Sequence, residues 1–374
     1  MLRLMSIGLV ALAVLVGPVR AADSQKAAGP DPQKYNAVVQ KAINFLNTAQ
    51  ADDGSFSKQG GVGITALVAT ALLQNGRSAN DPVVAKALKF LQGYVQKDGG
   101  IYTPDTYYKN YETCLAILCF TAANRDGKYK NLIATAEKYV TGMQFDEGEQ
   151  KDKSDLFYGG AGYGKSKRPD LSNTSFLVDA LKACGRGPDD AAMQKALVFV
   201  SRCQNLETEA NTTTFPAKNP DGGFYYTPAA GGSSPAGTTP NGGLRSYASM
   251  TYAGLKSMLY AGVGPKDPRV KAAVAWASKH YGLDENPGMG KAGLFYYYHV
   301  FAKALSAFGG DFVTDDKGVK HDWRKDLVDA LAERQQPNGS FVNTADRWME
   351  GDPNLVTGFA LMSLSYCPPQ AAGK

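Results

Sequence analysis

One pattern recurs six times along this chain of 374 residues. Each copy has a helical run with alanine and large apolar residues, in most copies a glutamine, and then a glycine turn that presents an aromatic residue. The period is about 45 residues with insertions, which is typical of a helical repeat array. The turn aromatics are Phe56, Tyr102, Tyr163, Phe224, Phe295 and Phe341, and the glutamines are Gln50, Gln96, Gln144, Gln204 and Gln335.

Each turn is followed by a second helical run that is apolar nearly all round. A helix that is apolar on all sides is buried, whereas an amphipathic helix, such as the runs 81–94 and 267–279, faces solvent on one side. Six helices of each kind in alternation predict an all-α fold, an (α/α)6 toroid in which an outer ring of helices closes around an inner ring. The inner runs are 65–74, 111–123, 173–184, 247–261, 295–308 and 355–367.

The recurring glutamine stands at the end of an outer helix, where backbone carbonyls lack partners. Its side-chain amide can bond to backbone there while an aromatic ring packs over it. We therefore expect the glutamines and turn aromatics to join neighbouring repeats and to have no catalytic part.

The first residues differ in composition from the repeats. Arg3 supplies a positive charge, residues 4–16 are a short apolar run, and residues 19–21 form a small-residue cleavage site. This arrangement predicts a secretory signal peptide, and the alternative is an uncleaved anchor. We expect a signal peptide over 1–21, a disordered linker over 22–32, one toroid over 33–368 and a tail over 369–374. Cleavage near Ala21 would export the protein to the periplasm or beyond.

Charge and cysteine content exclude several classes of protein. The formal net charge is +5, and the basic residues are interspersed with acids, so no nucleic-acid partner is expected. Five cysteines leave at least one unpaired. Their places in apolar runs favour small buried side chains, with one long-range disulfide as the alternative. No cofactor and no metal site is predicted, and no transmembrane span is expected in the mature chain.

The repeat carries a family resemblance. Residues 41–56 resemble the QW motif of terpenoid cyclases, with Phe56 in place of the usual tryptophan. The helix pairs resemble the prenyltransferase and squalene oxidase repeat from about residue 33 to residue 367. This resemblance implies the α/α toroid with a central cavity that squalene cyclases and protein prenyltransferases share.

The catalytic motifs of these relatives are incomplete here. Class II cyclases protonate an alkene with an acid of an Asp-x-Asp-Asp-Thr-Ala motif, and residues 170–175 read Asp-Leu-Ser-Asn-Thr-Ser. Ser172 stands in place of the proton donor, and a hydroxyl is too weak an acid for that step. The three histidines, His280, His299 and His321, lack the Asp-x-Cys partner of the zinc prenyltransferases. The run 147–150 resembles a thioester motif but has no cysteine.

Polar and aromatic residues cluster at the starts of the inner helices, where the cavity of a toroid opens. Tyrosine and tryptophan provide an apolar wall with hydrogen-bonding tips, which could bind an isoprenoid, stabilise a cation or stack a sugar. The alternative is that these rings only pack the narrow centre of the ring. Glu112 and Asp170 are the weak catalytic candidates. The cavity candidates are Asp105, Tyr107, Tyr108, Tyr111, Glu112, Asp170, Asn173, Arg245, Tyr247, Tyr252, Tyr297, His299, Trp348 and Asp352.

Three functions stay open at this stage. The first is a protein that binds or processes an isoprenoid or another apolar small molecule or lipid. The second is a periplasmic carbohydrate-active toroid, which would need two carboxylates roughly 5–10 Å apart, drawn from Glu112, Asp170, Glu350 and Asp352. The third is a scaffold for a protein partner. The segment 205–243 is poor in apolar residues and is predicted to be a mobile flap.

Overall fold

The computed structural model describes residues 29–164 and 168–369. The predicted signal peptide, most of the linker and most of the tail lie outside these residues. The described chain contains twelve α-helices and one short β-hairpin. The odd-numbered helices are α1 (Pro32–Ala49), α3 (Pro82–Gln92), α5 (Lys130–Thr141), α7 (Ala191–Arg202), α9 (Pro268–Lys279) and α11 (Trp323–Arg334). The even-numbered helices are α2 (Val62–Gln74), α4 (Lys109–Ala123), α6 (Leu171–Ala183), α8 (Ala248–Tyr260), α10 (Leu294–Phe308) and α12 (Pro353–Leu364).

The even-numbered helices form the buried centre. In α2 every residue from Val62 to Leu73 is buried, whereas the longer α1 buries only Val38, Ala42, Ile43 and Leu46. Contacts run from α2 through α4, α6, α8 and α10 to α12, and α12 contacts α2 in turn. Each odd-numbered helix packs outside this series. The structure is mostly helical, in agreement with the predicted all-α fold, and buried helices alternate with half-buried ones.

Aspartates begin seven of the twelve helices. In each, the aspartate side chain accepts a hydrogen bond from a backbone N–H of the first turn, which satisfies a donor that the helix leaves unpaired. Proline follows the aspartate in α1, α3, α9 and α12, where its fixed φ angle favours the first helical position. The capping residues are Asp31, Asp81, Asp170, Asp190, Asp267, Asp322 and Asp352.

A threonine in five of the inner helices fixes the preceding turn, a feature that the sequence pattern did not predict. Its hydroxyl oxygen accepts a hydrogen bond from the backbone N–H of the residue that the turn presents. The pairs are Phe56–Thr65 at 2.9 Å, Ile101–Thr113 at 3.1 Å, and Ala161–Thr174, Phe224–Thr251 and Phe341–Thr357 at 3.0 Å each.

These bonds correct three of the predicted turn residues. The turn position in the second and third repeats belongs to Ile101 and Ala161, and Tyr102 and Tyr163 lie just beyond it. Phe295 is not in a turn, because it lies inside α10. Gly293 resembles the turn glycines of the other repeats, but it directly precedes the first residue of α10. The sequence pattern therefore placed Phe295 in a turn by mistake.

Four of the five glutamines join neighbouring repeats. Each donates from Nε2 to a carbonyl of its own turn and to a carbonyl in the first turns of the next outer helix, rather than to the end of its own helix as expected. Gln96 differs, because it bonds to Tyr94 and Tyr102 in its own repeat. The joining bonds are Gln50–Val83 at 2.8 Å, Gln144–Ala192 at 3.0 Å, Gln204–Arg269 at 2.8 Å and Gln335–Val38 at 2.9 Å.

Two turn glycines pack directly against the next outer helix. Gly54 and Gly339 both have φ near +90°. A Cβ atom would lie 2.4 Å from the Lys86 carbonyl oxygen at Gly54, and 2.2 Å from the Lys41 carbonyl oxygen at Gly339. The positive φ and the close approach together require glycine at both turns.

The segment predicted as a mobile flap is instead held by many hydrogen bonds. Asn205 is fully buried and donates from Nδ2 to the Leu244 carbonyl at 2.7 Å. Thr227 donates to the Pro169 carbonyl at 2.7 Å, and the backbone N–H of Leu171 donates to the Tyr226 carbonyl at 2.8 Å. Hydrogen bonds from polar side chains thus hold this segment in place where apolar packing is sparse. For this reason its low hydrophobicity wrongly predicted a mobile flap.

Two further features complete the fold. The strands β1 (Phe312–Thr314) and β2 (Lys320–Asp322) form an antiparallel hairpin between α10 and α11. All five cysteines lie among the described residues and are unpaired, and four of them are buried. The long-range disulfide that the sequence left open is therefore not formed. No helix within 29–164 or 168–369 has the length and apolarity to cross a membrane.

Candidate functional site

A cavity of about 190 Å³ lies where the N-terminal turns of the inner helices meet. All six inner helices, or the residues just before them, contribute to its wall. Its residues are Gly60, Ile64, Tyr108, Tyr111, Glu112, Tyr163, Ser172, Asn173, Phe176, Tyr226, Tyr247, Ser249, Met250, Gly293, Tyr296, Trp348, Met349, Glu350, Leu355 and Phe359.

Aromatic rings make a continuous arc along the cavity wall. Tyr111 meets Phe176 edge to face, with ring centroids 4.9 Å apart. Phe176 stacks on Tyr296 at 6.1 Å, and Tyr296 contacts Phe359 at 5.8 Å. These separations are those of favourable aromatic pairs. This part of the wall is therefore packed and largely apolar, with the tyrosine hydroxyls as its polar points.

The mouth of the cavity is bordered by exposed apolar side chains. Trp348 and Met349 are each 45% exposed, and Tyr108 is 49% exposed. Trp348 and Met349 have φ of 61° and 65°, a backbone region that non-glycine residues rarely occupy. They sit against two glycines of the wall: a Cβ atom would lie 3.0 Å from the Trp348 ring at Gly293 and 2.7 Å from Met349 at Gly60.

Glu112 lies on the cavity wall but uses its oxygens to hold backbone. Its Oε2 accepts from the Thr103 backbone N–H at 2.7 Å. The backbone N–H of Val62, at the start of α2, also points at this carboxylate. Burial raises the pKa of Glu112 to about 7, although these hydrogen bonds act in the opposite direction.

Glu350 has the same arrangement at the start of α10. Its Oε1 accepts from the backbone N–H of Phe295 at 3.0 Å and of Tyr296 at 2.8 Å. Its Oε2 accepts from Asn343 Nδ2 at 2.6 Å. Burial raises the pKa of Glu350 to about 6. Glu112 and Glu350 therefore act as caps for helices other than their own, since negative charge is favoured at a helix N-terminus.

Asp170 lies behind the cavity wall, where it caps α6. Its Oδ1 accepts from the Asn173 backbone N–H at 2.9 Å, and its Oδ2 accepts from Asn173 Nδ2 at 2.8 Å. The Tyr226 hydroxyl also donates to it. Burial raises the pKa of Asp170 to about 6. Because Asn173 and Tyr226 stand between Asp170 and the cavity, this carboxyl accepts hydrogen bonds rather than presenting a proton to a ligand.

A buried charge cluster lies deeper along the inner helices. Asp179 Oδ1 is 2.6 Å from Lys256 Nζ, and Asp179 Oδ2 is 2.8 Å from Lys303 Nζ. All three side chains are at most 8% exposed. The neighbouring His299 packs on Phe359, and burial together with Lys303 lowers its pKa to about 3. His299 is therefore neutral at pH 7, and the cluster joins α6, α8 and α10.

The structure brings together fewer than half of the predicted cavity residues. Those on the wall are Tyr108, Tyr111, Glu112, Asn173, Tyr247 and Trp348, with Asp170 directly behind it. Asp352 caps α12, and Asp105 and Arg245 lie in loops away from the wall. Tyr107 borders a separate outer groove with Lys97 and Lys138. Tyr252, Tyr297 and His299 are buried on inner helices without reaching the wall.

Several wall residues were missed as site residues. Three of them lie one helical turn after a residue at the start of an inner helix, and residues three or four apart share one face of a helix. This spacing could have identified them: Phe176 follows Ser172, Met250 follows Tyr247, and Phe359 follows Leu355. Tyr163 was assigned only to a turn. Tyr226 comes from the segment that was taken for a flap, and no local pattern marked it. Among the described residues, no three His, Cys, Asp or Glu side chains are grouped to hold a metal ion.

Comparison with known proteins agrees with this fold. Residues 51–227 match the family described as squalene-hopene cyclase C-terminal domain. No curated protein sequence matches the chain. The family match covers just under half of the chain, and together with the repeat architecture it supports a squalene cyclase-like α/α toroid fold.

Solved structures of similar shape come from proteins of several kinds. A protein from Actinoplanes is 13% identical, with a TM-score of 0.54 over 89% of this chain and 99% of that chain. A family 76 glycoside hydrolase from a bovine Bacteroides thetaiotaomicron strain is 11% identical, with a TM-score of 0.53 over 88% and 77%. The type II terpene cyclase MstE from Scytonema is 15% identical over 91% and 100%, with a TM-score of 0.35. The first two of these structures, at 13% and 11% identity, show the fold alone. The function must therefore be argued from the site.

Proposed function

We propose that this chain is an exported toroid, a closed double ring of six helix pairs, that binds an isoprenoid or another apolar small molecule in its central cavity. The observation that carries the proposal is the aromatic arc of Tyr111, Phe176, Tyr296 and Phe359, which makes most of the cavity wall apolar. Ligand sites are typically lined by apolar and aromatic side chains with a few polar groups that fix orientation. This wall has that composition.

The size of the cavity limits the ligand. At about 190 Å³ it lies below the roughly 300–1,000 Å³ of pockets for drug-sized molecules. It is larger than an engineered apolar cavity of about 150 Å³ that binds benzene. A compact terpenoid, or one apolar end of a longer lipid, fits this range. The exposed Trp348 and Tyr108 at the mouth would contact any part of a longer ligand that remains outside.

Binding is better supported than catalysis by the usual route of the family. Ser172 replaces the proton donor, and its hydroxyl is hydrogen-bonded to the Tyr296 hydroxyl at 3.1 Å. Glu112, Asp170 and Glu350 are engaged as acceptors at helix N-termini. A general acid must instead hold a proton within reach of the reacting atom.

A carbohydrate-active protein is the second candidate. It is favoured by one observation, that Glu112 and Glu350 both lie on the cavity wall with pKa values raised by burial. A raised pKa is typical of the acid in a glycosidase. The same carboxylates are occupied by backbone donors, and the wall offers few polar groups for sugar hydroxyls. This candidate would be supported if the wild-type protein hydrolysed sugar polymers and the variants Glu112→Gln and Glu350→Gln did not.

The main proposal is tested in two steps. Native mass spectrometry of the purified mature protein should reveal a co-purified apolar molecule. Calorimetric titration with the hydrocarbon 2,6-dimethylocta-2,6-diene should then show binding that Phe359→Trp, which fills the cavity, weakens at least tenfold. The matched control Phe308→Trp changes a half-exposed residue at the far end of α10 and should leave binding unchanged. The proposal would be overturned if the wild-type protein retained no apolar molecule and bound neither this hydrocarbon nor an alcohol or aldehyde of the same carbon skeleton.

Export is a separate part of the proposal, based on the composition of residues 1–21. Fractionation of cells that produce the full chain, followed by mass determination, should find the protein outside the cytoplasm and shortened by the residues up to Ala21. A full-length protein retained in the cytoplasm would contradict export without affecting ligand binding.

A further inference from the structure

One buried acceptor in the cavity has no hydrogen-bond donor. Asn173 lies on the cavity wall and is 1% exposed. Its side-chain oxygen Oδ1 is buried and accepts no hydrogen bond of ordinary geometry from the described residues, although the Tyr163 hydroxyl interacts with the same amide group. A buried polar atom without a partner is unfavourable, and in native proteins it commonly marks a place that a ligand or water satisfies.

The orientation of this amide is fixed by its neighbour. Asn173 Nδ2 donates to Asp170 Oδ2 at 2.8 Å, while the backbone N–H of Asn173 occupies Asp170 Oδ1. Turning the amide over would place its oxygen against a carboxylate oxygen, and two acceptors repel. Asp170 therefore keeps the amide nitrogen on its own side and leaves the amide oxygen as the available acceptor of Asn173.

A second polar group lies on the same stretch of wall. Ser172, the preceding residue in α6, shares one hydrogen bond of 3.1 Å with the Tyr296 hydroxyl. Two hydroxyl groups carry two protons, and this bond uses one of them. The pair therefore has a proton that it can donate to a ligand oxygen, and it lines the same cavity as Asn173.

We infer that the cavity is selective for an apolar alcohol, whose hydroxyl donates to Asn173 Oδ1 and accepts from the Ser172–Tyr296 pair. The inference rests on the proposed binding of an apolar ligand and adds the chemical class of that ligand. An aldehyde or ketone could accept a proton but would leave Asn173 Oδ1 unpaired. An amine would bring a charge into a cavity whose carboxylates are already occupied.

Three probes with one carbon skeleton test this selection. Geraniol donates and accepts, geranial only accepts, and 2,6-dimethylocta-2,6-diene does neither. Calorimetric titration of the wild-type protein should give a dissociation constant for geraniol at least about tenfold lower than for geranial, because only the alcohol satisfies the buried acceptor. Asn173→Leu removes the acceptor with little change in size. In this variant the dissociation constants of geraniol and geranial should become nearly equal.

The outcomes separate this inference from the proposed function. If the hydrocarbon binds and the alcohol and aldehyde bind equally well to the wild-type protein, alcohol selection is wrong and apolar binding stands. If none of the three binds, the proposed function itself is wrong. Should Asn173→Leu fold poorly, the wild-type ratio still decides. Tyr296→Phe then provides a second variant, in which both ligands should bind more weakly but geraniol should keep its preference over geranial, because Asn173 remains.

Discussion

Gln335 near the end of the chain donates from Nε2 to the carbonyl oxygen of Val38 near its beginning, at 2.9 Å. The same residue also holds its own turn through the Gly339 carbonyl at 3.0 Å. This is the bond that Gln50, Gln144 and Gln204 make between consecutive repeats, used here between the last repeat and the first. The glutamine therefore connects the two ends of the repeat array.

Loss of this connection should destabilise the whole fold. We expect Gln335→Ala to lower the free energy of unfolding by about 1–3 kcal/mol, because carbonyls at the junction lose their donor. Gln40→Ala on the exposed face of α1 is the control and should change it by no more than about 0.5 kcal/mol. Urea unfolding followed by circular dichroism measures both, and equal effects would contradict a joining role.

The threonines that hold the turns offer a test within one helix. In Thr65→Val the buried backbone N–H of Phe56 loses its acceptor, and we expect a loss of about 1–3 kcal/mol of stability. Thr70→Val in the same helix removes a hydroxyl that donates to the Ala66 carbonyl, which the helix already uses, and that also contacts the Cys119 thiol. We expect a loss below about 1 kcal/mol there. A larger loss at Thr70 than at Thr65 would refute this account.

The buried lysines should depend on their single counter-ion. Asp179→Asn leaves Lys256 and Lys303 buried without a negative charge, and we expect a loss of about 3–5 kcal/mol. Asp329 is a matched control, since it also lies between two lysines, at 2.6 and 2.7 Å, but on the surface. Asp329→Asn should cost at most about 1 kcal/mol. Thermal unfolding measures both variants. If their melting temperatures fell equally, Asp179 would not be the essential counter-ion of the buried lysines.

Glu112 should give the protein a pH-dependent stability. Burial raises its pKa from 4.5 to about 7, so the folded state holds the proton over a range where the unfolded state has lost it. The contribution of Glu112 is fully present below pH 4.5 and is lost as pH rises through about 7. The stability of Glu112→Gln relative to wild type should therefore increase across this range in urea titrations. Exposed Glu209→Gln is the control, and a constant difference for Glu112→Gln would be inconsistent with a raised pKa.

The helices could be predicted from the sequence because hydrophobic pattern and aspartate caps agree in nearly every repeat. The fifth repeat is the exception, since it lacks the glutamine and places Phe295 inside α10 rather than in a turn. A cavity lies at the starts of the inner helices, and the candidates Tyr111, Asn173 and Tyr247 line it. That these residues bind a ligand stays a prediction.

The individual faces could not be predicted. The inner helices are apolar all round, so no amphipathic pattern reveals which side of α8 or α10 meets the cavity. Tyr252 and Tyr297 accordingly point away from it, whereas Tyr296 and Met250 line it. Tyr226 comes from a long segment whose path depends on buried polar side chains such as Asn205, and hydrophobicity gives no guide to that path.

The final prediction concerns the reactions of the family. We expect neither cyclisation of squalene nor zinc-dependent prenyl transfer. The cyclase motif has Ser172 and Asn173 in place of its acids, and the Asp, Cys and His ligands of the zinc prenyltransferases are absent from the matching positions. Removal of a positioned general acid typically lowers a rate roughly 10²–10⁴-fold. Asp170, the one acid of the cyclase motif that this chain retains, accepts hydrogen bonds from Asn173. The purified mature protein should form no product from squalene, or from prenyl diphosphates with or without zinc. A cyclised triterpene formed at enzymatic rates would contradict this prediction, and its loss in Asp170→Asn, but not in the exposed Asp52→Asn, would identify Asp170 as the acid.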